Sequence, residues 1–266
     1  MKFRIFTLLL LAFAVSANAQ ITIKQSDLQD FSIGKEMEKH EPQHIRYKDG
    51  KTLATGKYIV VMDEEGRNSE GFKSLFEVNN QGKIDGEMNF ETPDKNFAVK
   101  AVYKDDVLIR IDKKVNGTLM ETSYFDQGVF YEKQFEPNGD FKSESRAIDG
   151  KVVYSKKMNL SGWDVEDEIE GTRTFYYGKT NTIESRTSTK NLEKEATLME
   201  EKFDEKGKLI GKEIRYGLGK SKIIKKDGTY EVMIDTDKGY KVSEYSSKGK
   251  LLKTYIAAYP TMTVQQ

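Results

Sequence analysis

Glycines punctuate this chain at a near-constant interval. Gly117, Gly128, Gly139 and Gly150 lie eleven residues apart, each behind a polar residue: Asn116, Gln127, Asn138 and Asp149. Toward the C-terminus Gly228, Gly239 and Gly249 continue at spacings of eleven and ten. A strand of about six residues plus a turn of two to five fills such an interval. Glycine behind Asn or Asp supplies the positive φ that these turns need. Two intervals make one hairpin of about 22 residues, inside the range of repeat architectures. Turns this short leave no room for the crossover that parallel neighbours require. The chain is therefore expected to be all-β, an elongated antiparallel meander of hairpins.

Between the turns the apolar residues tend to alternate, as half-buried strands require. Phe97, Val99, Ala101 and Tyr103 share one face of a strand, and Tyr230, Val232 and Ile234 oppose Thr229, Glu231, Met233 and Asp235. One segment competes. Leu192, Ala196, Met199 and Phe203 form a helical stripe in a Glu/Lys-rich stretch. The segment ends in FDEKG (203–207), the same aromatic, acid, turn and glycine order as FEPNG (135–139), so a strand from Met199 into a turn is expected over residues 191–203.

The stretches YKDGKTLATGKY (47–58), GKIDGEMNF (82–90), FEPNGDFKSESRAIDGK (135–151) and FDEKGKLIGK (203–212) resemble the MORN-repeat variant of exported bacterial proteins. Weaker copies stand at FDQG (125–128) and YSSKG (245–249). Residues 159–194 fit the repeat poorly, and the GxW core of well-formed copies is mostly missing. The resemblance implies sheets of stacked hairpins that bind proteins or lipids. Bacterial variants are grouped with YwqK-like antitoxins, and the family carries no catalytic residues that could be transferred to this chain.

The first nineteen residues read as a secretory signal. Lys2 and Arg4 precede the apolar run from Ile5 to Val15, and Ala17, Asn18 and Ala19 form a small-residue cleavage site. Gln20 stands where a lipoprotein needs cysteine, and the chain has no cysteine at all. The expected product is periplasmic or secreted, without lipid anchor, membrane span or disulfide. Residues 20–45 are expected to cap a repeat domain over 46–259, with 260–266 as a tail. Beyond residue 19 the chain holds 41 basic and 43 acidic side chains, so nothing in its overall charge draws it to nucleic acid. With only 37% hydrophobic residues overall, a thick core is not expected.

Chemistry is sparse in this composition. The two histidines, His40 and His44, are spaced for one helix face, but Pro42 lies between them, and a solvated linker rather than a zinc site is expected. Asp164, Glu166, Asp167, Glu168 and Glu170 follow the single tryptophan without the glycine-broken spacing of a calcium loop. No metal or cofactor is expected, and no catalytic residue is assigned. Trp163, Tyr176 and Tyr177 cluster where the repeat is least regular and are the candidate ligand-binding residues. Aromatics on strands otherwise pair across strands to hold the sheet. The expected function is a non-catalytic, exported module that binds another envelope or secreted protein. A glycan-binding sheet is the alternative, and a carboxylate-dependent hydrolase the third reading.

Overall fold

The computed structural model describes residues 20–29, 31, 42–61, 73–217 and 219–259. The signal segment, His40, much of the expected cap and the tail lie outside them. The described residues contain strands, turns and one short 3₁₀ turn, Gln25–Asp27, so the protein is all-β. Two compact units divide between Val152 and Val153.

In the first unit β1 (Gln20–Lys24) precedes a small ladder of β2 (Leu28–Gln29) and β3 (Arg46–Tyr47). The meander follows: β4 (Gly56–Val61), β5 (Lys73–Val78), β6 (Gly86–Glu91), β7 (Phe97–Lys104), β8 (Val107–Val115), β9 (Thr118–Asp126), β10 (Val129–Phe135) and β11 (Phe141–Ile148). Each of β4 to β10 pairs antiparallel with the next. β1 departs from the expected pattern, because it runs parallel to β4 with Gln20 opposite Lys57. The long stretch between Lys24 and Gly56 supplies the crossover that the short turns elsewhere cannot.

Two turn designs account for the glycine rhythm. Asn116 and Gly117, Gln127 and Gly128, and Asp149 and Gly150 all have positive φ, the mark of two-residue type I′ hairpins that match strand twist. At Gly139, Gly207, Gly228 and Gly249 the glycine N–H instead bonds the carbonyl three residues back, at Glu136, Asp204, Lys225 and Ser246.

The first unit buries a core, more than the overall composition led us to expect. Val60, Met88 and Ala101 are fully buried beside Phe76, Val78, Val99, Tyr103 and Leu108. Tyr58 stacks on Phe76 at 5.4 Å, and Phe31 reaches the same ring at 6.2 Å. Leu28, Phe31 and Leu53, from the segments around β2 and β3, complete this core. Each buried Val, Leu, Met or Phe side chain contributes about 1.5–3 kcal/mol by leaving water.

The second unit is built otherwise. Its strands are β12 (Lys151–Met158), which starts just before the division, β13 (Trp163–Asp167), β14 (Thr172–Tyr176), β15 (Ile183–Ser188), β16 (Ala196–Phe203), β17 (Leu209–Tyr216), β18 (Lys220–Lys225), β19 (Tyr230–Thr236), β20 (Gly239–Tyr245) and β21 (Leu251–Ala257). All pair antiparallel in sequence order. Residues 196–203 are strand, three residues earlier than expected, since Ala196 already pairs Tyr216. Among the described residues from Val153 onward the buried apolar side chains are Ile214 and Val242. A sheet with so little buried on either face is held by its ladders and by cross-strand pairs. Tyr230 stacks on Tyr245 at 4.8 Å, Lys222 sits 4.9 Å above the Tyr230 ring, and Lys212 pairs Glu201 at 3.8 Å.

Candidate functional site

The register sorts the second unit's side chains onto two faces of unlike character. On one face a cross-strand row runs Lys156, Val165, Thr174, Arg186, Glu201, Lys212, Ile224, Tyr230 and Tyr245. Beside it run Met199, Ile214, Lys222, Val232 and Ser243. Basic, aliphatic and aromatic groups dominate these rows. On the other face a row passes through Glu200, Glu213, Ile223, Glu231 and Glu244, with Glu200 directly opposite Glu213 and Glu231 directly opposite Glu244. Like charges facing each other across strands are unfavourable. Arg215 offsets one pair, 2.8 Å from Glu213 and 3.8 Å from Glu200, and Lys225 bonds Glu231.

The candidate aromatics fall at one end of this sheet. Trp163 opens β13 opposite Met158, and the Lys156 ammonium lies 4.8 Å from the centre of its ring. Strand alternation puts Tyr176 on the face of Thr174 and Val165, the lysine-bearing one. Tyr177 lies past the end of β14, where its hydroxyl donates to the Phe203 carbonyl at 2.7 Å and its N–H to Thr182. Trp163 and Tyr176 thus share a face, while the polar tip of Tyr177 is engaged within the chain. Gly162 fixes this corner: a Cβ there would stand 2.0 Å from the Tyr176 carbonyl oxygen. Tyr216, on the same face as Ile214, bonds the Glu193 carboxylate; burial, then that carboxylate, pushes its hydroxyl up to about 12.

Two of the acids after Trp163 are engaged within the chain. Asp164 is buried and receives a two-pronged bond from Arg173 at 3.1 and 2.9 Å, and Asp167 accepts the Glu170 N–H. A shallow depression beside it is lined by Glu166, Asp167, Arg173, Thr187 and Lys190, with the Lys190 ammonium spanning the carbonyls of Glu168 and Ile169. Among the described residues no cluster of three or more His, Asp or Glu is arranged to hold a metal ion.

His44 departs from the solvated linker expected of it. Its Nδ1 is 2.7 Å from Oδ2 of the buried Asp106, whose Oδ1 accepts the Ile84 N–H at 2.6 Å. Gln43 N–H donates to the Asp106 carbonyl, and Pro42 bridges to Val107. The sequence hid this because the partners lie 62 residues apart. The lysine-bearing face was also missed. Its signal is the same-parity run Lys220, Lys222, Ile224, which becomes a row only after the turn glycines set each hairpin's register.

No protein-family model matches the chain, and no curated protein matches it. Among solved structures it is similar, at 18% identity and a TM-score of 0.24, to the pneumococcal O-GlcNAc transferase GtfA in complex with UDP and GlcNAc. That likeness covers 35% of this chain and 19% of the other.

Proposed function

We propose that the protein is an exported, non-catalytic interaction module of the cell envelope that holds a protein partner against the lysine-bearing face of its second unit. The observation that carries this reading is the open sheet itself. Apolar side chains of Met199, Ile224, Val232 and Tyr245 stay partly exposed on a face interleaved with Lys156, Arg186, Lys212 and Lys222. Apolar contact area ringed by cations suits a partner of acidic surface, with the charges steering encounter and the apolar groups holding the contact. The sequence resemblance to MORN-type repeats, the secretory character of residues 1–19 and the scarcity of nucleophile and base pairs support the same reading. Localisation to the periplasm or the exterior, free of a lipid anchor, belongs to this proposal.

Glycan binding through Trp163 and Tyr176 is the rival, although Lys156 already lies over the Trp163 ring, where a sugar would stack. A cross-linked pull-down of the protein from its own envelope fraction, run beside a glycan array, separates the two. The proposal expects one stoichiometric protein partner, lost on Lys222→Glu. Saturable sugar binding abolished by Trp163→Ala, with no stoichiometric protein recovered, would replace it with the rival.

A further inference from the structure

The last strand carries a second surface, independent of what the lysine-bearing face binds. β21 has β20 as its registered partner, which leaves its outer backbone edge without a strand among the described residues. Leu251, Leu252 and Ile256 on this strand are each more than half exposed. Tyr259, two residues past β21, turns back toward the preceding strands: its hydroxyl bonds Asp235 and the Thr236 carbonyl, and its ring packs edge-on against Tyr240 at 4.9 Å.

The ladder's phase identifies which backbone groups face outward. β19 and β20 are joined by a two-residue turn closing on the Thr236 and Gly239 pair, so alternate residues Lys241, Ser243 and Tyr245 bond back to β19. Tyr240, Val242 and Glu244 therefore bond toward Ala257, Tyr255 and Lys253. Thr254 and Ile256 turn their N–H and C=O groups outward. An exposed edge of this kind is completed by another strand, and natural edges that are not completed are usually blocked by charge or proline. This one has a single lysine in LLKTYIA, and it has no proline.

We propose that this edge is closed by a second copy of the chain, β21 pairing antiparallel with β21 about a two-fold axis at Thr254. The sequence is self-complementary in that register. Leu252 faces Ile256 of the other copy on one side of the sheet, and Lys253 faces Tyr255 on the other. Within one chain the Lys253 ammonium already sits 4.5 Å from the Tyr255 ring centre, so the pairing repeats a contact these side chains make at no cost in charge. Moving the axis to Lys253 would set two ammonium groups opposite each other. The contact is isologous and closes at two copies, and one strand pair at the rim of a thin sheet makes it a concentration-dependent dimer rather than an obligate one.

The test is analytical ultracentrifugation of the full-length protein across a wide concentration range, with three variants. The wild type is expected to shift from monomer to dimer mass. Thr254→Pro removes an outward donor and leaves the β20 ladder intact, so it is expected to raise the dimer dissociation constant at least tenfold with unchanged circular dichroism. Should that variant fold poorly, Ile256→Lys opposes a charge to Leu252 and carries the same expectation. Because the chain has no cysteine, Thr254→Cys places the only thiols about 5.5 Å apart between Cα atoms in the paired edge, within disulfide reach. Mild oxidation should link it at least tenfold faster than Ser221→Cys on β18. A wild type that stays monomeric throughout, forms open-ended polymers, or dimerises equally well with Thr254→Pro and Ile256→Lys would overturn the proposal.

Discussion

Asp106 joins three segments of the first unit through one buried carboxylate, and its removal is predicted to loosen them together. Replacement by alanine leaves the Ile84 N–H, bonded at 2.6 Å in the native state, buried without an acceptor, at a cost of about 1–3 kcal/mol. The residue also sits at φ 70°, the second position of the turn between β7 and β8, where an alanine costs about 1–2 kcal/mol. His44 is half exposed and regains water when its partner goes, so its bond adds under about 1 kcal/mol. The expected loss is about 2–6 kcal/mol, a large part of the stability of an ordinary domain. Asparagine keeps an acceptor for Ile84 and tolerates positive φ, so Asp106→Asn should cost about 1 kcal/mol. Native-state hydrogen exchange reads the difference locally: the amides of Ile84 and Gln43 should exchange at least about 30-fold faster in Asp106→Ala and within about tenfold of wild type in Asp106→Asn. Equal exchange in wild type and Asp106→Ala, or equal damage from both substitutions, would refute the reasoning.

Other outcomes follow from the same geometry. Gly162→Ala must displace the Tyr176 carbonyl from 2.0 Å, and is expected to cost at least about 2 kcal/mol and to shift the fluorescence of the adjacent, single Trp163. Met88→Ala, in the fully buried core, should cost about 2–5 kcal/mol, whereas Ile224→Ala on the open sheet should cost under about 1 kcal/mol; comparable losses in urea titrations would contradict the contrast between the units. Four turn aspartates are held below the usual carboxylate range: Asp49 first by the Lys51 side chain, Asp94 by the Thr92 hydroxyl, Asp204 by the Lys208 N–H and Asp227 by the Thr229 hydroxyl. A folded pKa below the unfolded one gives stability that is complete above the unfolded value, near 3.8, and lost as pH falls through the folded values. Thermal midpoints should therefore drop below about pH 4, less steeply when Asp49, Asp94, Asp204 and Asp227 are all changed to asparagine.

Much of the strand layout is legible because local chemistry dictates it. Asn116 with Gly117 and Gln127 with Gly128 can close two-residue turns, and strands between such turns have no choice but to pair with their neighbours. The alternation in Phe97 to Tyr103 and in Thr229 to Asp235 then assigns faces, and the structure buries Val99, Ala101 and Tyr103 together. What stayed hidden depends on long-range pairing. The parallel β1 has no local signature, and neither does the His44 and Asp106 contact. Averaged composition also concealed two unlike units. In β5, Lys73 and Glu77 share one parity with Leu75 while Phe76 and Val78 hold the other, so one face can be buried. In β16, Glu200 and Glu201 occupy both parities, so neither face can. Trp163 and Tyr176 were identified as candidates, but the lysine row that gives their face its charge emerges only when nine strands are placed in register.

The most direct test of an interaction face is to ask which side of the sheet a partner touches. Photo-cross-linking residues placed singly at Ile224 and Val232, on the lysine-bearing face, and at Ile223 and Met233, on the glutamate-bearing face, can be exposed to the native envelope fraction and their products identified by mass. The interaction reading predicts one stoichiometric protein with an acidic surface, captured from Ile224 and Val232 and not from Ile223 or Met233. Equal capture from both faces, or capture from neither, would contradict it.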